Sequence, residues 1–478
     1  MADNLKHKTK VGLYWKFIEQ FSMYGVQFLI GIVMARLLSP SDFGIAALPA
    51  VFIAIAQVFI DSGFALALIR KSEVTEKDLS TSFYYSLAVG VTLYLVMFFC
   101  APLIAAFYEV PILTSLIRVS TLTFIWNPLL TPQNVILNRK LDFKTPARIS
   151  IVNRIVAGVV GISVAYCGFG IWALIASSIT ASVLGLIQTW IAVKWIPTER
   201  WSKNSFSYLW NFGNKMIGSG LLRTLYANLI PVMLGKFGST AQLGVYNRSR
   251  QFASLPSDNL AGIINSVTYP VLSKMQNDRE HLRLIFIKMI KVSSFVAFPI
   301  MMIMSALSEP LILTLITDKW KECVPLLQIM CFTYMFQPAQ ILNVHLLQVL
   351  GRPDLTLRLE IITKCIFPVF VILAIQHSLI VLCVVNFCIT MVAFVMNTYY
   401  TGKLIDVGYL KHVRLLFPTL VLSLVTMAAV FFVTSFISSS MMKLFVGGFL
   451  GVCFYLVLAY LLKFDELKEV KYMINIKK

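Results

Sequence analysis

Apolar runs long enough to cross roughly 30 Å of hydrocarbon recur from one end of this chain to the other. They leave no stretch over for a separate water-soluble domain. Segments such as 89–106 and 415–436 are apolar on nearly every side, without the alternation and polar lumen face of barrel strands. Helices satisfy their own backbone in lipid, so helices are expected. Of the 478 residues, 58% are hydrophobic and only 13% charged, against about 25% charged in soluble domains. The expected fold class is an all-α polytopic membrane protein.

The runs divide into about fourteen transmembrane helices. They fall near 14–37, 43–69, 79–106, 112–137, 146–167, 171–194, 206–234, 241–270, 283–308, 321–349, 356–376, 379–401, 411–436 and 440–462. The basic residues support the count. With a cytoplasmic N-terminus, the inside connections collect Lys6, Lys8 and Lys10, then Arg70, Lys71 and Lys77, then Arg139, Lys140 and Lys144, and so on to the tail. The outside turns near Glu109, 167–170 and 375–378 carry no Lys or Arg. Both termini are therefore expected in the cytoplasm. The formal charge of +19 follows from this bias and does not imply nucleic acid. Polar residues inside the first apolar segment distinguish it from a cleaved signal peptide, so it is expected to remain as the first span.

Two faint echoes suggest an internal duplication. Ala35-Arg36-Leu37-Leu38-Ser39-Pro40-Ser41-Asp42-Phe43-Gly44 is echoed by 234–244, which ends Ser239-Thr240-Ala241-Gln242-Leu243-Gly244. Leu137–Phe143 is echoed by Leu350–Leu355. Parallel repeats of six helices each are expected, with a first lobe at 1–195, a linker at 196–205 and a second lobe at 206–402. Residues 403–478 would add two further helices and a cytoplasmic tail.

Ionisable groups at membrane depth are costly and therefore informative. In the seventh span Lys215, Ser219, Arg223 and Tyr226 share one helical face, and in the eighth Arg250 and Asp258 can do so while Tyr246 lies nearby. The fourth span holds Arg118 and an Asn127-Pro128 break. Facing a hydrated chamber between lobes, Lys215, Arg223, Arg250 and Arg118 could contact phosphate or acidic sugar, and Tyr226 and Tyr246 could stack on sugars. Lys16, Glu19, Asp61, Asp258 and Lys364 are candidates for ion coupling to H+ or Na+, or for ion pairs that simply hold helices together.

No nucleotide-binding glycine loop, dinucleotide fingerprint or catalytic triad is found. Eight scattered cysteines and five histidines give no metal-ligand spacing. The expectation is a transporter without enzymatic activity, resident cofactor or metal.

The 35–44 hairpin, Tyr14-Trp15, the Asp61-Ser62-Gly63-Phe64-Ala65-Leu66-Ala67-Leu68-Ile69 segment and Gly244-Val245-Tyr246 together resemble the bacterial polysaccharide transport (Wzx-like) flippases. The chain is similar to their colanic-acid and teichuronic-acid branch, within the multidrug, oligosaccharidyl-lipid and polysaccharide (MOP) exporter superfamily. The resemblance implies a MATE-like fold of two six-helix lobes around a cavity, in the bacterial inner membrane. It implies alternating-access translocation of an undecaprenyl-diphosphate-linked oligosaccharide to the periplasmic leaflet, for lipopolysaccharide or exopolysaccharide biosynthesis. Membrane lipids, glycosyltransferases and a glycan polymerase are the implied partners. Two alternatives stay open: a cation-coupled drug or metabolite antiporter of the same superfamily, centred on Glu19, Asp61 and Asp258, or a non-transporting membrane component of glycan assembly.

Overall fold

A computed structural model of the chain describes residues 22–23, 25–61 and 63–469. Every regular element among them is helical. Two compact units divide the chain, the first ending at Gly244 and the second beginning at Val245.

The first unit opens with α1 (Gly25–Leu37), α2 (Pro40–Asp61) and α3 (Phe64–Arg70). Gly63 separates α2 from α3 in the left-handed region, φ 68°, where a side chain would be strained. The 33-residue α4 (Glu76–Tyr108) starts on a reciprocal cap. Asp78 Oδ2 accepts from the Thr75 amide at 2.9 Å and from Lys71 Nζ at 2.7 Å, while the Asp78 amide donates to Thr75 Oγ1.

The segment expected as one span at 112–137 is interrupted. It comprises α5 (Leu113–Ser120), α6 (Thr123–Trp126), a 3-10 turn at Asn127–Leu130 and α7 (Thr131–Arg139). Pro128 lacks the amide that an unbroken helix would use, and Trp126 Nε1 and Asn127 Oδ1 meet on Ser182 Oγ. At the end of α7, Arg139 donates to the carbonyls of Leu68, Lys71 and Ser72, tying α7 to the turn after α3. Next come α8 (Lys144–Tyr166) and α9 (Trp172–Val193), which pack closely through small residues: a Cβ on Gly161 would lie 2.8 Å from Ser177 Cβ.

Extended chain then leads to α10 (Lys203–Ala227), which bends by 45° into α11 (Leu229–Phe237). The extended segment is strapped to the start of α4. Trp195 Nε1 donates to Glu76 Oε2 at 2.8 Å and the Ser202 amide to Thr81 Oγ1 at 3.1 Å. α10 packs on α2, α3 and α4, and the compact unit runs on to Gly244.

The two segments that echo each other in sequence meet at the end of this unit. α12 (Thr240–Lys274) starts beside α2, with Ser41 Oγ and Thr240 Oγ1 2.7 Å apart. A Cβ on Gly44 would run into the Thr240 carbonyl, and one on Gly244 into the Pro40 carbonyl. The contact is reciprocal, and so are the caps: Ser39 and Asp42 exchange hydrogen bonds at one helix start, Ser239 and Gln242 at the other.

The remainder of α12 opens the second unit. It is followed by α13 (Arg279–Ala306), α14 (Ser308–Ile316), α15 (Cys323–Tyr334), α16 (Gln337–Val349), α17 (Pro353–Ile375), α18 (Leu379–Ile405), α19 (Tyr409–Ser435) and α20 (Ser440–Leu461). The expected span at 321–349 is again two helices, α15 and α16, with Pro338 just beyond the break. The last two helices pack within this unit. α19 packs along α13, and Phe295, Leu422, Tyr455 and Ala459 form a shared core in which Tyr455 Oη donates to the Phe295 carbonyl at 2.9 Å.

Large apolar side chains such as Phe99 and Phe449 are 72% and 75% exposed on helix faces, as lipid-facing residues should be. Length and apolar composition alone account for part of the fourteen expected spans. Among the described residues eight helices are long and apolar enough to cross a membrane, or nine if the bent α10–α11 pair is one span. Much of the first expected span lies outside the described residues. Interruption shortens the pieces at 112–137 and 321–349, while α12 and α17 carry charges along their length, among them Arg248, Arg250 and Asp258 in the first and Arg358, Glu360 and Lys364 in the second.

Candidate functional site

A cavity of about 370 Å³ lies within the first unit. Its wall is built from the end of α2 (Val58, Asp61), the start of α3 (Gly63, Ala65, Leu66), the first turns of α7 (Thr131, Asn134) and one face of α10 (Met216, Gly220, Arg223). The last three repeat at four and three residues, so a single helical stripe faces the cavity. The interruption at 127–130 is what starts α7 here and brings Thr131 and Asn134 to the wall. Gly63 permits the close approach of α10: a Cβ there would lie 2.9 Å from Met216 Cβ.

Two opposite charges line this space. Asp61 Oδ1 accepts a hydrogen bond from Gln57 Nε2 at 2.7 Å, one turn earlier on α2. Arg223 is exposed and, among the described residues, makes no hydrogen bond or ion pair. Such a guanidinium offers its donor fork to an anion. Across α10, Trp210, Asn214, Ile217 and Gly218 face a separate, mainly apolar groove of about 580 Å³.

The second unit surrounds its arginine differently. Arg250 hydrogen-bonds to Tyr334 and has Tyr246 and Asp258 near it. Asp258 Oδ1 in turn accepts from Gln337 Nε2 at 3.1 Å, and Ser257 Oγ donates to the Tyr334 carbonyl at 2.9 Å. These bonds tie α12 to both sides of the α15–α16 break. Tyr246 is buried.

The other sequence candidates are dispersed. Arg118 lies over the Phe98 ring at 4.2 Å and donates to the Phe98 carbonyl, which fastens α5 to α4. Tyr226 is half-buried near the end of α10 and does not line the cavity. Lys16 and Glu19 lie outside the described residues, as do the side chains of Lys215 and Lys364. Sequence reasoning missed Gln57, although its spacing of four from Asp61 is a readable helical pair. It also missed Thr131 and Asn134, which reach the wall only because of the helix break. Among the described residues no group of three His, Cys, Asp or Glu could hold a metal ion.

A polytopic helical bundle with both a guanidinium and a carboxylate on the wall of one cavity suits a membrane transporter. A family model described as "Polysaccharide biosynthesis protein" matches residues 33–325, more than half of the chain. The chain belongs to this family, within the MOP exporter superfamily, and is a bacterial multi-pass protein of the inner membrane. Over 303 residues it is 27% identical to the teichuronic acid biosynthesis protein TuaB of Bacillus subtilis, covering 63% of this chain and 62% of that protein's length. It is 23% identical over 367 residues to the lipopolysaccharide biosynthesis protein WzxC of Escherichia coli, covering 76% of this chain and 74% of the relative. In fold it resembles the lipid II flippase MurJ in an inward closed conformation, with a TM-score of 0.73 and 16% identity over 95% of this chain and 99% of that one.

Proposed function

We propose that this protein translocates an undecaprenyl-diphosphate-linked oligosaccharide from the cytoplasmic to the periplasmic leaflet by alternating access, serving lipopolysaccharide or exopolysaccharide biosynthesis. The observation that carries the reading is Arg223, a guanidinium that is unpaired among the described residues and lines a cavity of about 370 Å³. Left uncompensated at membrane depth such a charge is costly, and a phosphate is the partner that suits its forked donors. The relatives' names, which concern sugar polymers, support a glycan as cargo. Glycosyltransferases would supply it and a polymerase would receive it. Six helices, six helices and a final pair remain the proposed organisation, with both termini cytoplasmic.

The test is flipping of a fluorescent lipid-linked oligosaccharide by reconstituted protein, expressed per correctly inserted molecule. A charge-assisted contact worth about 2 kcal/mol corresponds to roughly a thirtyfold loss in R223Q, with R223K keeping part of the activity. Normal flipping by R223Q would remove the phosphate contact. Arg250, already bonded to Tyr334, is proposed to act through helix position: R250Q should lower the amount of folded protein more than the activity of what folds.

Asp61 in the same cavity favours a second reading, cation-coupled antiport of a small molecule. There transport would follow an imposed proton or sodium gradient and D61N would weaken that dependence. Flipping that is equal with and without gradients would exclude it.

A further inference from the structure

Asp61 and Arg223 line one cavity, yet they do not pair. The carboxylate bonds instead to Gln57 Nε2 at 2.7 Å, and among the described residues the guanidinium bonds to nothing. Opposite charges facing one cavity attract, less so where both side chains are exposed as here, and the Gln57 amide holds a carboxylate oxygen along the axis of α2. Gly63, at φ 68°, ends that helix directly beyond and fixes where the carboxylate is presented.

The cavity therefore keeps two chemically distinct ends, a donor fork at Arg223 and an acceptor at Asp61. A bare anion would use only the first and be repelled by the second. A cation would meet the reverse. A glycosyl phosphate suits both, since its phosphoryl oxygens accept from a guanidinium while its sugar hydroxyls donate to a carboxylate. The volume of about 370 Å³ is at the small end of ligand sites and suits a sugar phosphate rather than a longer glycan.

We infer that this cavity holds the phosphate-linked sugar at the reducing end of the cargo, with Asp61 reading that sugar's hydroxyls and Gln57 acting as a positioning residue that keeps Asp61 off Arg223. This rests on the phosphate role proposed for Arg223 and extends it to the sugar.

The experiment compares binding of a hexose 1-phosphate and cyclohexyl phosphate to the full-length protein in detergent. The second ligand keeps the ring size and the phosphate but lacks the hydroxyls. The protein should prefer the hexose 1-phosphate by about tenfold, the scale of one good hydrogen bond to a charged acceptor. D61A should abolish the preference while leaving cyclohexyl phosphate bound as tightly or more so, because a repelling charge is gone. Q57L should weaken both ligands by releasing Asp61 towards Arg223, and Q57L/D61A should restore cyclohexyl phosphate binding. Rescue by the double variant separates positioning from damage to the fold, since a second substitution would not repair a collapsed site. A preference retained in D61A, or no rescue in Q57L/D61A, overturns the inference while leaving Arg223 its phosphate role. Unchanged cyclohexyl phosphate binding by R223Q instead overturns the phosphate role itself.

Discussion

A methyl group at position 63 would meet two separate obstacles. The backbone there is left-handed, and the Cβ would press on Met216 Cβ from α10 at 2.9 Å. Gly168, also left-handed at φ 82°, has nothing within 4 Å and meets only the first obstacle. G168A should thus cost about 1–2 kcal/mol through backbone strain alone. G63A should cost visibly more and disturb ligand binding as well, as thermal unfolding in detergent with and without hexose 1-phosphate would reveal. Equal losses would mean that α10 yields easily at the cavity wall. Residue identity alone did not separate Arg223 from Arg250 in the sequence, because both are arginines on helical faces. What distinguishes them is a tyrosine on another helix, Tyr334, and no local pattern announces such a partner. Gln57 was legible, being one turn from Asp61 on the same helix, whereas the sharing of one cavity by Asp61 and Arg223 depends on how α2 and α10 pack.

Among the elements, α4 illustrates how a long apolar helix is started. Asp78 is 1% exposed and holds the amide and hydroxyl of Thr75 together with Lys71 Nζ, whose own side chain is 28% exposed. Removing the acceptor orphans several donors at once, so D78A should destabilise the protein by about 2 kcal/mol or more. K71A removes only a partly exposed partner and should cost less than about 1 kcal/mol. Thermal unfolding of the two variants side by side checks the order, and a larger loss for K71A would refute this account of the cap. The apolar runs made most elements readable in advance. The breaks were only half readable: Asn127-Pro128 marked the first, but a proline shortly after a helix start, as at Pro338, reads equally well as an ordinary first turn. The expected spans at 241–270 and 356–376 form the continuous helices α12 and α17 in spite of the charges along them.

For the whole molecule, the Lys and Arg bias leads to the expectation that the loop at 71–75 faces the cytoplasm and the turn at 376–378 the periplasm. In a cysteine-free background, E73C should escape a membrane-impermeant thiol reagent in intact cells and H377C should react. The reverse pattern would invert the orientation. The family could be read from short motifs because they mark helix junctions, which composition alone constrains little. The expected lobe boundary at 196–205 could not be tested that way, since it depended on whether α10 would pack backwards onto α2, α3 and α4. The paired helix starts at Pro40 and Thr240 bear on genetics as well. Each glycine is crowded by the other helix's main-chain carbonyl, an atom that no codon change at the contact can shrink. A selection for suppressors of G44A should therefore return no side-chain replacement at position 240. Revertants should map instead to the short turns at 38–39 and 238–239, which set how near the two helix ends lie.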